Sequence, residues 1–318
     1  PPSDHYIDMD TLPMPAWHLF DLKKYNKIPF QNKFTNSNPR EFLLQTTRGC
    51  PSLCKFCSRH FGNKVRQKSP HIVVDEISIL INSYNAEYLF FADATFTINK
   101  EYTKKLCTLM IERGINKKIS WSCGTRVDKL DKEVLMLMKK AGCVGIFIGL
   151  ESGSQKILDS INKGIKISNF PESLKNIKEQ GIITVTNFIL GLPGETRKDI
   201  KRSIEVSLAL PIDFASFNIF TPFPGSEFYK TLSVSNSNNL KTRNWDLYAT
   251  QTGSYQLNQP SLRNIDLILL HKFAFLRFYL RRNYFHKIFQ IVNIKALLYL
   301  LINRITKNNF VNPYDHLT

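Results

Sequence analysis

The sequence predicts an α/β fold, with parallel strands alternating with helices in a barrel or half-barrel and a helical extension after it. Three observations predict it. Six short apolar runs recur between residues 42 and 220, and each gives way to a polar loop marked by Gly or Cys. Segments with apolar residues at helical spacing separate those runs, and strand–helix order repeated in this way needs crossovers that leave the strands parallel in one sheet. After Ser226 the rhythm stops, and the chain turns first polar, then apolar and basic.

The elements follow in order. Residues 1–40 are rich in Pro and Asn ("DTLPMPAW", "FTNSNPR") and read as an extended connector. Phe42–Thr47 is the first strand, and "RGCPSLCKFCSRHFG" is the loop after it. In "HIVVDEISILINSY" the apolar positions Ile72, Val73, Ile77, Leu80 and Ile81 mark a helix. "EYLFFADATF" is a buried strand ending in a polar loop, and the next helix has Asn99 as its cap and Gly114 as its stop. "KISWSCGTR" is a strand, and the helix after it runs from the Asp131 cap to the Gly142 stop. "CVGIFIGLESGS" is a strand and loop, followed by a helix over 168–181 that opens at Ser168 and is interrupted early by Pro171. "IITVTNFILGLPGE" and "DFASFNIFTPFPGS" are the last two strands with their loops, and "TRKDIKRSIEVSLAL" is the helix between them. "SVSNSNNLKTRN" is loop, whereas "SLRNIDLILLHKFAFLRFYLRRNYFHKIFQ" and "IKALLYLLINRITK" are helical. The domain boundaries are therefore 1–40 connector, 41–230 barrel and 231–318 helical extension. In such a barrel the loops at the strand C-termini build the active site. The cysteines, Asp93, Arg126, Glu151 and Glu195 all fall there.

Composition narrows the class. Charged residues make up 22% and hydrophobic ones 43% of 318 residues, ordinary for a soluble chain with a sizeable core. No stretch reaches the roughly 18 apolar residues of a membrane span. The polar N-terminus is no signal peptide, and with no initiating Met the chain is expected to be cut from something longer or processed. Six cysteines, three of them clustered, do not make a disulfide framework, so a reducing cytoplasm is expected. The formal net charge of +17 would suit nucleic acid, a phosphorylated substrate or a membrane surface. The lysines are scattered, however, with no Arg-rich block interleaved with aromatics, which disfavours nucleic acid without removing it.

The chemistry centres on Cys50, Cys54 and Cys57. Three thiols within eight residues can hold a metal, yet a structural zinc site takes four ligands. Cys107, Cys123, Cys143 or His60 would have to supply the fourth. Cys107 and Cys143 read as core; Cys123, near a strand end, reads as core or as cavity lining.

The C-x3-C-x-aromatic-C spacing after the first strand, with Phe56 as the aromatic, resembles the radical S-adenosylmethionine (SAM) superfamily. The resemblance covers about 8–229 and implies a partial (β/α)6 TIM-like barrel. It also implies a [4Fe–4S] cluster held on three irons by Cys50, Cys54 and Cys57, with the fourth iron left for SAM. "FFADATFTINK" resembles the loop whose carboxylate or carbonyls accept from SAM's ammonium, with Asp93 as the carboxylate. In "GLESGS" the resemblance places Glu151 on SAM's ribose or amino-acid portion. Arg126 is expected to pair with SAM's carboxylate or to orient Glu151. "NFILGLPGET" resembles the adenine-side motif, with Ile189 packing on the adenine and Gly191 allowing close backbone approach. Glu195 is expected as a helix-terminal carboxylate.

The segment "DMDTLPMPAWHLFDL" and the barrel motifs are most similar to the cobalamin-dependent branch, here without its N-terminal cobalamin domain; the chain has no D-x-H-x-x-G stretch. The resemblance implies reductive cleavage of SAM to a 5′-deoxyadenosyl radical that abstracts hydrogen from an unidentified small-molecule or lipid-like substrate. A flavodoxin or ferredoxin would be the reductant. Methyl transfer or cyclisation with cobalamin is left open. Two alternatives stand: a transfer-RNA methylthiotransferase-like enzyme, and a non-catalytic iron–sulfur protein. The basic, aromatic C-terminal helices, with Arg277, Arg281, Arg282, Lys287, Lys295 and Arg304, are expected either to cap the barrel or to lie on an anionic membrane surface.

Overall fold

The computed structural model describes residues 6–22, 34, 39–235 and 262–281. Its strands are β1 (Glu41–Leu44), β2 (Thr47–Arg48), β3 (Arg66–Gln67), β4 (Tyr88–Phe91), β5 (Ser120–Thr125), β6 (Cys143–Glu151), β7 (Ile183–Leu190) and β8 (Phe214–Ile219). Its helices are α1 (Pro70–Tyr84), α2 (Lys100–Glu112), α3 (Lys132–Lys140), α4 (Gln155–Ser160), α5 (Phe170–Glu179), α6 (Arg197–Ala209), α7 (Glu227–Ser235) and α8 (Asn264–Tyr279).

Six strands form one parallel sheet in the order β1-β4-β5-β6-β7-β8. Each new strand is laid beside the previous one, so all six C-terminal ends share one rim. The short pair β2–β3 is antiparallel and clasps the base of the cysteine loop. Period-two side-chain alternation then separates two faces. Phe42, Leu89, Phe91, Trp121, Cys123, Ile146, Ile148, Phe188 and Phe217 are buried in the core shared with the helices. The other face carries Phe90, Ser122, Phe147, Asn187, Ser216 and Asn218. It is less apolar because it lines an interior space.

The caps expected at Asn99 and Asp131 are present, accepting from the N–H groups of Tyr102 and Val134. Thr196 opens α6 with a reciprocal capping box to Asp199. Three local readings need correction. Pro171 starts α5 rather than interrupting it, because Pro is tolerated in the first turn, where its missing N–H has no partner to lose. The "GLESGS" loop leads into α4, a short helix not expected from the periodicity. Residues 227–235 are helical too, so the rhythm does not stop at Ser226. The connector is more than a tether: Met9 is 3% exposed, and Trp17 packs edge-on against Phe42 at 5.1 Å.

The loop read over 233–244 lies outside the described residues from 236 on, as do the last helix and Arg282, Lys287, Lys295 and Arg304. Arg277 and Arg281 belong to α8 and its end. Among the described residues no helix is long and apolar enough to cross a membrane.

Candidate active site

The cysteine loop crosses the rim of the sheet and is pinned on its far side. The Lys55 N–H donates to the Ile161 carbonyl at 3.0 Å, and Asn162 Nδ2 donates to the Leu53 carbonyl at 3.1 Å. The Phe228 N–H at the start of α7 donates to the Lys55 carbonyl at 3.1 Å. The loop that leaves β1 is thereby held against elements that follow β6 and β8. Cys54 is buried, Cys50 partly so, and Cys57 is exposed.

Behind the loop lies a cavity of about 520 Å³, within the ~300–1,000 Å³ range of small-molecule sites. Phe56, Phe147, Glu151, Asn187, Ile189 and Asn218 are among its walls. The loop aromatic therefore faces the strand positions singled out in the sequence.

Glu151 is the last residue of β6. The ladder to β7 slips there, between Gly149 and Glu151, and Glu151 takes φ +66°. A left-handed non-glycine residue costs on the order of 1–3 kcal/mol and persists where the surroundings impose it. A Cβ on Gly149 would stand 2.1 Å from Glu151 Oε1, so the missing side chain makes room for the carboxylate. The following loop is anchored on α6: the Gly153 N–H donates to Ser203 Oγ at 2.8 Å, and Ser154 Oγ donates to Asp199 at 2.7 Å.

The cation on Glu151 is Lys163, at 2.7 Å, with both side chains less than 10% exposed. Lys163 was not singled out in the sequence. It lies in a Gly/Asn turn where a lysine usually faces solvent, so only a twelve-residue return across the rim reveals it. Its Nζ also stands 5.7 Å from the Phe56 ring centroid. Arg126 does not pair with Glu151. Its guanidinium is forked onto Asp128, donates to the Lys163 carbonyl at 2.8 Å and reaches to 4.0 Å from Cys54 Sγ. It positions the lysine turn and sets a cation beside a cysteine. Burial pushes the Cys54 thiol up, while Lys163 and Arg126 pull it the other way.

Asp93 is engaged within the protein. One oxygen accepts from the N–H groups of Thr46 and Thr47 at 2.7 and 2.8 Å, and the other from Thr46 Oγ1 at 2.5 Å. Burial raises its carboxyl to about 6. Asp93 holds the chain entering the cysteine loop. Gly191 is crowded from outside the sheet. At φ +82° a Cβ there would meet Leu267 of α8 at 2.8 Å, so the glycine admits the C-terminal helix. Ile189 lines the cavity. Glu195 is buried, accepts from the N–H groups of Gly191 and Leu192, and is pushed up to about 8 by burial. It builds the loop after β7 as well as flanking α6. Cys123 faces the helices with Cys107 and Cys143, so cavity lining is not its place.

The donor set of three thiols in one loop fits an iron–sulfur cluster, which takes one thiolate per iron, on separate corners. The soft thiols of one loop, beside two cations that would offset their negative charge, suit that arrangement.

The comparisons agree with this reading. Residues 44–206, just over half of the chain, match the family model of the radical SAM superfamily. An uncharacterized methyltransferase of Pyrococcus horikoshii is 33% identical over 285 residues, covering 88% of this chain and 58% of that protein. The anaerobic magnesium-protoporphyrin IX monomethyl ester cyclase of Cereibacter sphaeroides is 32% identical over 228 residues, covering 71% of this chain and 36% of that protein. The chain thus spans little more than half of the first and about a third of the second. Among solved structures, the radical SAM methyltransferase TsrM of Kitasatospora setae superposes with a TM-score of 0.58 at 19% identity, over 62% of this chain and 40% of that one. That likeness shows the fold, a TIM-like α/β barrel. With the family model matched from the end of β1 into α6 and the three-cysteine loop inside the match, the chain belongs to the radical SAM superfamily.

Proposed function

We propose that the chain is the catalytic barrel of a radical SAM enzyme, with Cys50, Cys54 and Cys57 holding a [4Fe–4S] cluster. The observation that carries the reading is the buried Lys163–Glu151 pair at the wall of the cavity, directly behind the cysteine loop. The amino-acid end of SAM is a zwitterion, and this pair offers it a cation for the carboxylate and an anion for the ammonium or ribose. When bound, the cluster supplies one electron to SAM, whose cleavage gives methionine and a 5′-deoxyadenosyl radical able to take hydrogen from a substrate. The residues of the chain supply the setting. Arg126 fixes the Lys163 turn, Asp93 fixes the entry to the loop, Ile189 and Phe56 offer apolar faces to the adenine and sulfonium ends, and the walls exclude water. The test is anaerobic reconstitution followed by measurement of 5′-deoxyadenosine. A reduced, intact cluster that never cleaves SAM overturns the reading.

The substrate we propose is a neutral small molecule or the head of a lipid-like one. On the β8 side the cavity offers Ser216, Asn218 and Thr221 among Phe220 and Phe223, with no charged side chain among the described residues of its wall there. Methyl transfer and cyclisation, the chemistries named for the two relatives, both suit such a cavity. A peripheral membrane role is favoured by α8, where Ile265, Leu269, Phe273, Leu276 and Leu280 form an exposed stripe beside the exposed Lys272 and Arg277. Flotation with vesicles containing phosphatidylserine tests it, and protein left in the soluble fraction removes it.

A further inference from the structure

A second cavity, of about 340 Å³, opens where the connector crosses β1, the edge strand of the sheet. That volume lies within the ~300–1,000 Å³ of small-molecule sites. Among the described residues it shares no wall with the cavity behind the cysteine loop. Leu12, Pro13 and Trp17 of the connector and Leu43 of β1 are on its apolar side, and Arg48, Lys68 and Glu76 on its polar side.

Lys68 and Glu76 are each 5% exposed and paired at 2.5 Å. A buried ion pair is often no more stabilising than well-packed apolar residues of the same volume, so stability alone does not account for one beside a cavity. The pair is also incompletely satisfied. Glu76 Oε2 is buried with no hydrogen-bond partner, a state that costs stability unless something donates to it. Arg48 spends its Nε on Gln45 Oε1 at 3.0 Å and rests over the Phe61 ring. Its two Nη groups have no protein partner among the described residues.

These side chains define what fits. Arg48, Lys68 and Glu76 together carry one net positive charge, which suits a monoanion. The two Nη groups form a planar fork that a carboxylate fills with parallel bonds. Glu76 Oε2 calls for a donor. An ammonium there would face the Lys68 ammonium across the same carboxylate, so the matching donor is a neutral O–H. The aliphatic and indole walls take an apolar body.

We propose that this cavity binds an apolar hydroxycarboxylate, its carboxylate on Arg48 and its hydroxyl on Glu76. Arg48 is two residues before Cys50, so the ligand braces the entry to the cysteine loop. The inference goes beyond the proposed function, because neither the cysteines nor SAM takes part in the binding.

The experiment titrates the full chain, reconstituted as above and without SAM, with mandelate and phenyllactate in a calorimeter. Two analogues separate the contacts: mandelamide lacks the charge, and phenylacetate lacks the hydroxyl. Mandelate should bind ~10-fold or more tightly than either. Arg48→Met should remove the preference for mandelate over mandelamide, and Arg48→Lys should restore part of it, which guards against a folding defect. Leu12→Trp, which fills the cavity without touching a charge, should abolish binding of all four compounds. If neither hydroxy acid binds at millimolar concentration, the cavity holds water only and the proposal is overturned. Binding that survives both Arg48→Met and Leu12→Trp, or that saturating SAM displaces, lies elsewhere and overturns it too. Phenylacetate binding as tightly as mandelate removes the Glu76 contact and with it the hydroxy-acid assignment. If mandelate binds as expected and no 5′-deoxyadenosine forms, the proposed function fails while this site stands.

Discussion

The chain has two trios of cysteine that chemistry treats in opposite ways. Cys50, Cys54 and Cys57 sit in a loop at the C-terminal rim of the sheet, beside Arg126 and Lys163. Cys107, Cys123 and Cys143 lie under the helices, all fully buried among Trp121, Met138 and other apolar side chains. Burial without a nearby cation drives the thiol of Cys107 up, and that of Cys123 up as well, where a hydrogen bond with Cys143 adds to the effect. A thiol held in its neutral form is a small apolar residue, not a ligand. The lesson is that placement relative to the rim, not residue type, decides which sulfurs are available.

The largest effect should come from substitutions within the loop trio. Cys50→Ala, Cys54→Ala or Cys57→Ala should each lose most of the iron and sulfide taken up on reconstitution. Cys107→Ala and Cys143→Ala should retain both and lose about 1–2 kcal/mol of stability, the usual cost of a small core truncation. Iron and sulfide analysis with denaturant melts checks the contrast. A core variant that loses its cluster while remaining folded would break it.

The same contrast applies to charge. Lys163→Met leaves Glu151 buried without its cation, which should cost ~3 kcal/mol or more. In Glu151→Gln/Lys163→Met most of that stability should return, because no lone charge remains. Affinity for SAM, measured by equilibrium dialysis on the reconstituted protein, should stay ~10–100-fold weakened in both variants. If binding recovers along with stability, the pair is structural and the proposed function loses its main support.

A smaller effect separates the trios without any substitution. In metal-free protein Cys57 should be alkylated first by iodoacetamide, and Cys50 and Cys54 more slowly. The core trio should react only when global unfolding exposes it. Mass spectrometry of the labelled peptides gives the order. Early labelling of Cys123 would mean that it reaches the cavity after all.

How far the sequence discloses this molecule follows the same division. Strand–helix alternation, the Asn99 and Asp131 caps and the cysteine spacing are local signals, and the structure contains all of them. Glu151, Ile189 and Phe56 were legible because each sits at a strand end or in the loop, and they do meet at one cavity. Lys163 was not, because its partner is brought to it by the turn after α4 and the strained backbone of Glu151. Asp93 and Gly191 were visible as special positions, but their tasks depend on what folds back onto them. Thr46 and Thr47 occupy the first, and Leu267 of α8 crowds the second. Pairings across the rim are tertiary facts, and no spacing along the chain encodes them.

The smallest effect concerns the other buried carboxylate at the rim. Among the described partners Glu151 faces Lys163 and Glu195 accepts from the N–H groups of Gly191 and Leu192, and burial raises Glu195 to about 8. A carboxyl raised in the native state keeps its proton there after the unfolded chain has lost its own, so stability falls as pH rises between the two values. For Glu195 that window runs from its ordinary 4.5 to about 8. Asp93 acts in the same direction but only from 3.8 to about 6, so the Glu195 window extends further. Glu195→Gln retains a carbonyl acceptor for the two N–H groups and cannot ionise. Its thermal stability should therefore decline less than that of the wild type from pH 6 to 8, by an amount on the order of 2 kcal/mol or less. Melting curves across that interval decide it. Parallel declines would show that Glu195 is ionised in the folded protein.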